Sequence, residues 1–320
     1  MSDWTPTEDS RRAAARVWLD WVAAQAFTTL HDHGVRAVLL KGPSIARWLY
    51  ADEPEARSYN DVDALVGPEQ LHRAEAVLEE LGYARRTVML ADDAEPHAEP
   101  FVRDRDGATV DLHRTLHRCE HLPDELVWRV VTAGAGTMRV GTADVEVPSV
   151  AVRLLHVTFH PDPTKGPPGS QPWLDLERAI ARVDVLEWEQ AVAVARTLGT
   201  TDAMGYGLRL LPEGAALADR LGLPDAVPES VRLREATTST RFVVQLAAVP
   251  GPRAKARYLV QKLFPPRAYM EQSTDLARHG GVRLLAAYLL RLGHALGEVP
   301  GAVRGWREVR AARPGSGGSR

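Results

Sequence analysis

The chain has 320 residues, 45% hydrophobic and 25% charged, with 39 basic side chains against 42 acidic ones and a formal net charge of -3. This is the composition of an ordinary soluble globular chain with room for two domains. The single cysteine, Cys119, excludes an intramolecular disulfide framework and a cysteine-based zinc site, and no apolar run nears the roughly 18 residues a bilayer demands. Residues 1–12 carry no apolar stretch of the signal-peptide kind, so a cytoplasmic protein without a membrane partner is expected.

The near-neutral total conceals a split. From Gly251 onward there are 13 Lys and Arg against 4 Asp and Glu, whereas the preceding residues hold 26 against 38. Only four of the 39 basic residues are lysines, Lys41, Lys165, Lys255 and Lys262, an arginine bias of the kind a GC-rich genome produces. Against that background a lysine marks a position where an ammonium is wanted rather than a guanidinium.

In chain order, residues 11–33 are predicted as a long amphipathic helix, with Val17, Trp18, Trp21, Val22, Phe27 and Leu30 recurring at three- and four-residue steps. Val35 to Leu40 has strand length, and Lys41-Gly42-Pro43 then turns into a short helix over 44–50, for which Ser44 is a plausible N-cap. Asp61 to Val66 is a second strand stopped by Gly67-Pro68, and 69–81 a helix ending at Gly82. Further strands are predicted over 83–90, 99–103 and 108–113. After Pro148 the pattern becomes helical, beginning with a helix to His160 that Ser149 caps. Residues 161–172, with five prolines and two glycines, form a loop of the length expected for a mobile lid. Helices follow over 173–182, 188–198, 203–211, 213–221, 230–248, 254–263 and 282–296, then a Gly/Ser-rich tail. The whole predicts an α+β fold: a small mixed sheet with flanking helices, then a mostly helical second half.

Alternation along a strand puts Asp61, Asp63 and Leu65 on one face and Val62, Ala64 and Val66 on the other. Two carboxylates about 6–7 Å apart on one face repel by roughly 2–3 kcal/mol at an effective dielectric near 20. A hard divalent cation reverses that sign, and a carboxylate pair at i, i+2 supplies the oxygen ligands such ions take. In 108–113, Asp111 and His113 share a face, and if this strand pairs beside the first, Asp111 completes a triad. The Lys41-Gly42 turn with Ser44 offers backbone N–H groups and a hydroxyl to phosphate oxygens, and Arg57 offers charge to a phosphate or pairs with the acidic loop Asp52, Glu53 and Glu55. His156 and His160 stand at zinc-ligand spacing on one helical face, but with no third ligand evident nearby they are assigned to the helical core.

The runs Val38-Leu39-Leu40-Lys41-Gly42-Pro43, Asp61-Val62-Asp63-Ala64-Leu65-Val66 preceded by Arg57, and Val110-Asp111-Leu112-His113 resemble the DNA polymerase β-like nucleotidyltransferase superfamily, and within it the bacterial uncharacterised nucleotidyltransferase family. The likeness continues through Leu154-Leu155-His156 to His160, Trp173-Leu174-Asp175-Leu176 and Lys262-Leu263-Phe264-Pro265. It implies a nucleotidyltransferase domain over 1–148, a helical acceptor-binding domain over 149–312 and a disordered tail over 313–320. The implied activity is transfer of NMP from an NTP to a hydroxyl or phosphate of a small molecule, a peptide or protein, or a tRNA, with release of pyrophosphate. Asp61, Asp63 and Asp111 are then the ligands of Mg²⁺ or Mn²⁺. Lys41, Gly42, Ser44 and Arg57 contact the nucleotide, His113 supports them, and Asp175 is a candidate acceptor-side base. The basic stretch after Gly251 is the candidate contact for tRNA or peptide. The alternative is a nucleotide-sensing or interaction module that keeps the fold without catalysis.

Overall fold

The protein was examined as a computed structural model, which describes residues 7–86, 97–163, 166–228, 231, 243, 246, 251–265, 267, 270 and 274–311. By contacts the chain forms two compact units, one comprising Met1–Thr87 with Glu95–Ala226, the other Val88–Ala94 with Val227–Arg320. No helix among the described residues is long and apolar enough to cross a membrane.

In the first unit the order is α1 (Glu8–Asp32), β1 (Ala37–Leu39), α2 (Pro43–Leu49), β2 (Val62–Val66), α3 (Leu71–Glu80), β3 (Ala84–Arg85), β4 (Ala98–Arg103), β5 (Ala108–His113), α4 (Asp124–Thr132), β6 (Gly136–Val140), β7 (Ala143–Val147), α5 (Val150–Phe159), α6 (Gln171–Arg182), α7 (Val185–Leu198), α8 (Thr201–Leu208) and α9 (Pro212–Arg220). The predicted strand over 83–90 is seen as β3, and its part beyond Arg86 lies outside the described residues. The helix α4 and the hairpin β6–β7 go beyond the predicted elements. Ser149 caps α5 as its position predicts, its Oγ accepting from the Val152 N–H at 3.4 Å.

The strands form one mixed sheet in the order β3-β4-β5-β2-β1-β7-β6. β1 and β2 are antiparallel, while β2 lies parallel to β5 with Asp63 opposite Asp111. That register meets the condition on which the third carboxylate depended. Alternation along β2 feeds two cores. Val62, Ala64 and Val66 pack with Val22, Phe27 and Leu30 of α1 and with Val77 and Leu78 of α3. Leu65, with Val38 and Leu40, packs instead with Leu154 and Leu155 of α5, Leu176 of α6 and Trp188 of α7.

This second core corrects the boundary drawn from composition after Pro148. Helices α5 to α9 are the other layer of the sheet's own unit, because the apolar face of the sheet around Leu65 is covered by them. The loop predicted as a mobile lid is tied back where it is described: the Trp173 indole donates to the Gly166 carbonyl at 3.2 Å and Asp162 is buried.

The second unit carries α10 (Pro252–Leu263), α11 (Asp275–Arg278) and α12 (Gly281–Ala311), with a small core of Met270, Ala277 and Ala287. The predicted helix over 230–248 and the tail fall outside the described residues apart from isolated positions.

Close packing of α8 on α5 uses glycine. A Cβ at Gly207 would stand 2.1 Å from the Thr158 carbonyl oxygen, well inside contact distance. Gly207→Ala is therefore expected to cost at least about 2 kcal/mol, read as a fall of about 4–8 °C in the unfolding midpoint by calorimetry. An unchanged midpoint would mean that the two helices do not meet at this residue.

Candidate active site

Three chain segments converge where the carboxyl-terminal end of β1 meets the amino-terminal end of the antiparallel β2 and the Asp111 position of β5. β1 runs into Lys41-Gly42, held beside β2 by the Leu40 N–H donating to the Asp63 carbonyl at 3.0 Å. Gly42 has φ 58° and ψ -118°, a positive-φ conformation that favours glycine, while a Cβ there would only come into ordinary contact with the Tyr59 ring at 3.4 Å. Pro43 then opens α2, so the helix starts one residue before Ser44 and Gly42 takes the cap position. The expectation that Ser44 caps the helix and offers its hydroxyl to phosphate is corrected accordingly. Ser44 is fully buried and its Oγ donates back to the Leu40 carbonyl at 2.7 Å.

Asp61 immediately precedes β2, Asp63 lies within it, and Asp111 is its neighbour on β5. Asp63 is 1% exposed and uses one oxygen twice: Oδ1 lies 2.5 Å from the Lys41 Nζ and 3.0 Å from the His113 Nε2. Its Oδ2 is buried with no hydrogen-bond partner. Ligand atoms of Asp63, Asp111 and His113 all lie within 4.8 Å of one another. An orphaned carboxylate oxygen with a second carboxylate and an imidazole around it fits a cation, because such an atom otherwise bears its desolvation cost uncompensated.

The charges act on one another. Burial, then repulsion from Asp63, pushes the Asp61 carboxyl up to about 6, against the pull of Lys41. Burial and Asp63 likewise raise Asp111. Asp63 goes the other way: burial would raise it, but Lys41 and His113 hold it well below the usual carboxylate range. For Lys41 burial favours the neutral amine, yet Asp63, Asp61 and Asp111 together keep its pKa raised and the ammonium charged.

Arg57 and Asp175 are brought together in a way the sequence does not announce. Arg57 grips the carboxylate with Nε 3.0 Å from Oδ1 and Nη2 2.9 Å from Oδ2, and its Nη1 donates to the Gly42 carbonyl at 3.1 Å. The same carboxylate accepts from the Tyr50 hydroxyl and from Gln171 Nε2, each at 2.9 Å. This arrangement bears on the Arg57 and Asp175 expectations. With these donors on it, the Asp175 carboxylate is engaged as an anchor between α6 and the Gly42 turn, and Arg57 is paired with it in this structure. The acidic loop is served by other arginines: Arg178 and Arg182 pair with Asp52, and Arg16 with Glu55.

A cavity of about 260 Å³ lies over this arrangement, lined by Lys41, Gly42, Arg57, Tyr59, Asn60, Asp61, Asp63 and Asp175 among others. His156 and His160 line it too, with rings stacked at 4.2 Å; His156 is buried as expected of the helical core, and both rings also face the cavity. Their i, i+4 spacing on α5 was the available signal. Tyr59 and Asn60, missed in the sequence, enter because they precede Asp61 directly; the Tyr59 hydroxyl donates to Asp20 at 2.7 Å.

The anchor makes a prediction. Asp175→Ala leaves a guanidinium that is 6% exposed without its partner. A loss of about 3–5 kcal/mol in folding free energy is expected, measured by denaturant unfolding. Wild-type stability together with lost activity would instead return Asp175 to the role of base.

A comparison with curated proteins finds no match. Among solved structures, the solution structure of the antibiotic-resistance factor ANT(2″)-Ia is similar to 58% of this chain and 94% of that chain, at 12% identity and a TM-score of 0.41. The family model described as uncharacterised nucleotidyltransferase matches residues 8–214, spanning the sheet, the carboxylates and the helices α5 to α8, and the chain belongs to that family.

Proposed function

We propose that this chain is a metal-dependent nucleotidyltransferase that moves NMP from an NTP to a hydroxyl or phosphate of an acceptor. The observation that carries the reading is the parallel register of β2 and β5, which sets Asp63 beside Asp111 with a buried, unpartnered Oδ2 facing no protein donor. Asp61, Asp63 and Asp111 are the residues that would hold Mg²⁺ or Mn²⁺. Such an ion, when bound, supplies charge neutralisation to the triphosphate and acidity to the acceptor hydroxyl.

The protein's own groups do the positioning. Lys41 brings an ammonium to the same carboxylates and is the cation in the cavity best placed to meet phosphate oxygens. His113 fixes the rotation of Asp63 through its Nε2. The Arg57–Asp175 pair holds the Gly42 turn, so the backbone that lines the cavity is fixed before substrate arrives. In the reaction the acceptor oxygen forms a bond to the α-phosphorus as the bond to the bridging oxygen breaks. Pyrophosphate departs with the electron pair and the acceptor's proton passes to solvent. Acceptors of three kinds fit this chemistry: a small molecule, a peptide or protein hydroxyl, or a tRNA end. For the anionic kind we assign the contact to the stretch after Gly251, where 13 basic side chains face 4 acidic ones in sequence.

Incubation with α-labelled NTPs, Mg²⁺ or Mn²⁺ and each acceptor class is the direct assay. Asp63→Asn and Asp111→Asn are each expected to lower transfer by more than about 100-fold, with the unfolding midpoint of Asp111→Asn staying near wild type. Full activity in either variant would overturn the reading. Tight Mg-NTP binding without turnover on any acceptor would replace it with the nucleotide-sensing alternative.

Cation binding carries a pH signature. In the metal-free protein Asp61, raised to about 6, is protonated below that pH, and a divalent ion must displace the proton. Mn²⁺ affinity measured calorimetrically is expected to level off above pH 7 and to fall by up to about tenfold per unit below 6. Affinity independent of pH from 7.5 to 5 would show that Asp61 takes no part.

A further inference from the structure

A second cluster of ligating side chains lies beside the first but shares none of its carboxylates. β4 and β5 pair with Ala98 opposite His113, so His97, one residue before β4, comes alongside the segment that leaves β5. The backbone ties it there, because the Arg114 N–H donates to the His97 carbonyl at 3.0 Å. That segment carries His117 and Glu120. Between them Arg118 takes φ 67°, the one non-glycine residue with positive φ among the described residues. Its guanidinium donates to the Phe159 carbonyl at 3.0 Å and lies 5.4 Å over the Tyr206 ring, which holds this uncommon conformation in place.

The turn brings His117 and Glu120 together. Glu120 Oε1 lies 3.2 Å from His117 Nδ1 and 3.5 Å from His97 Nδ1, and ligand atoms of all three residues fall within 4.8 Å of one another. We propose that His97, His117 and Glu120 form a binding site for a transition-metal ion of the zinc class, separate from the Asp61, Asp63 and Asp111 site and independent of the nucleotidyl-transfer reading.

Two observations support it. The first is the donor set: two imidazoles and one carboxylate are the ligand types that zinc-class ions take in preference to Mg²⁺, with a fourth position left for water. Access for the ion is available, since the side chains of His97 and Glu120 are 30% and 22% exposed.

The second is the surrounding shell, which holds buried imidazole nitrogens without partners. His113 Nδ1 and His156 Nε2 have no hydrogen-bond partner although the residues are 1% and 4% exposed. The His113 ring lies 5.5 Å from that of His97, and the His160 ring, stacked on His156, lies 5.6 Å from that of His117. Five of the eleven histidines thus stand in one continuous row.

An ion held here pins the end of β5, the strand that carries Asp111 and His113, to the start of β4.

The experiment is a titration of the chelator-treated full chain with Zn²⁺, and with Co²⁺ as the coloured probe, in a large excess of Mg²⁺. One equivalent is expected to bind, with visible Co²⁺ bands and a raised unfolding midpoint. Glu120→Gln and, separately, His97→Ala at its partly exposed position are each expected to weaken binding by at least about 10-fold. Asp63→Asn is expected to retain it. Absence of stoichiometric binding in the wild type would overturn the proposal. So would binding unchanged in both Glu120→Gln and His97→Ala, and so would binding lost in Asp63→Asn but kept in His97→Ala, which would put the ion on the carboxylate site.

Discussion

Electrostatic repulsion among carboxylates is the constraint around which this unit is organised. The β2–β5 register sets Asp63 against Asp111, and Asp61 stands two residues before Asp63, so three acids share one end of a sheet whose interior is otherwise apolar. Like charges in a poorly screened cavity cost free energy unless cations answer them. Part of the answer is internal: Lys41 and His113 both press on the same oxygen of Asp63. The other oxygen is left without a partner. A site that is half compensated by its own side chains is poised to take up a cation, and that incompleteness separates a functional cluster from a structural one.

Rigidity around the cluster comes from the helical layer. The Arg57–Asp175 pair spans 118 residues of sequence and joins α6 to the Lys41-Gly42 turn, with Tyr50 and Gln171 completing the carboxylate's partners. Because that pair is buried, its geometry is tightly held and the loss of one member is costly. The helices after Pro148 therefore do more than cover the sheet. They set the position of the glycine turn from which Lys41 reaches the acids, and α5 contributes His156 and His160 to the cavity wall.

What sequence could reveal followed the range of the interactions. Local regularities were legible: the alternation Asp61-Val62-Asp63-Ala64-Leu65, the Asp111 strand and the Ser149 cap all reappear, and so does the split of β2 into two packing faces. Ser44 misled because Pro43 supplies a better first helical residue, which moved the cap to Gly42 and turned the serine inward. The pairing of Arg57 with Asp175 was not legible, because each looks like a reactive group alone and nothing local signals that they meet. The composition change after Pro148 marked a change of secondary structure, not of unit, since one apolar core runs through both parts. His97, His117 and Glu120 carry no sequence spacing of note, and only the β4–β5 pairing and the Arg118 turn bring them together.

The central claim is that the β2–β5 carboxylates hold a divalent cation that works on an NTP. Anomalous diffraction from crystals soaked with Mn²⁺ and a non-hydrolysable NTP tests it most directly. The account predicts an anomalous peak ligated by Asp63 and Asp111, with the Lys41 ammonium moved from Asp63 towards phosphate. A nucleotide bound with no peak at these carboxylates, and Lys41 still seated on Asp63, would contradict it.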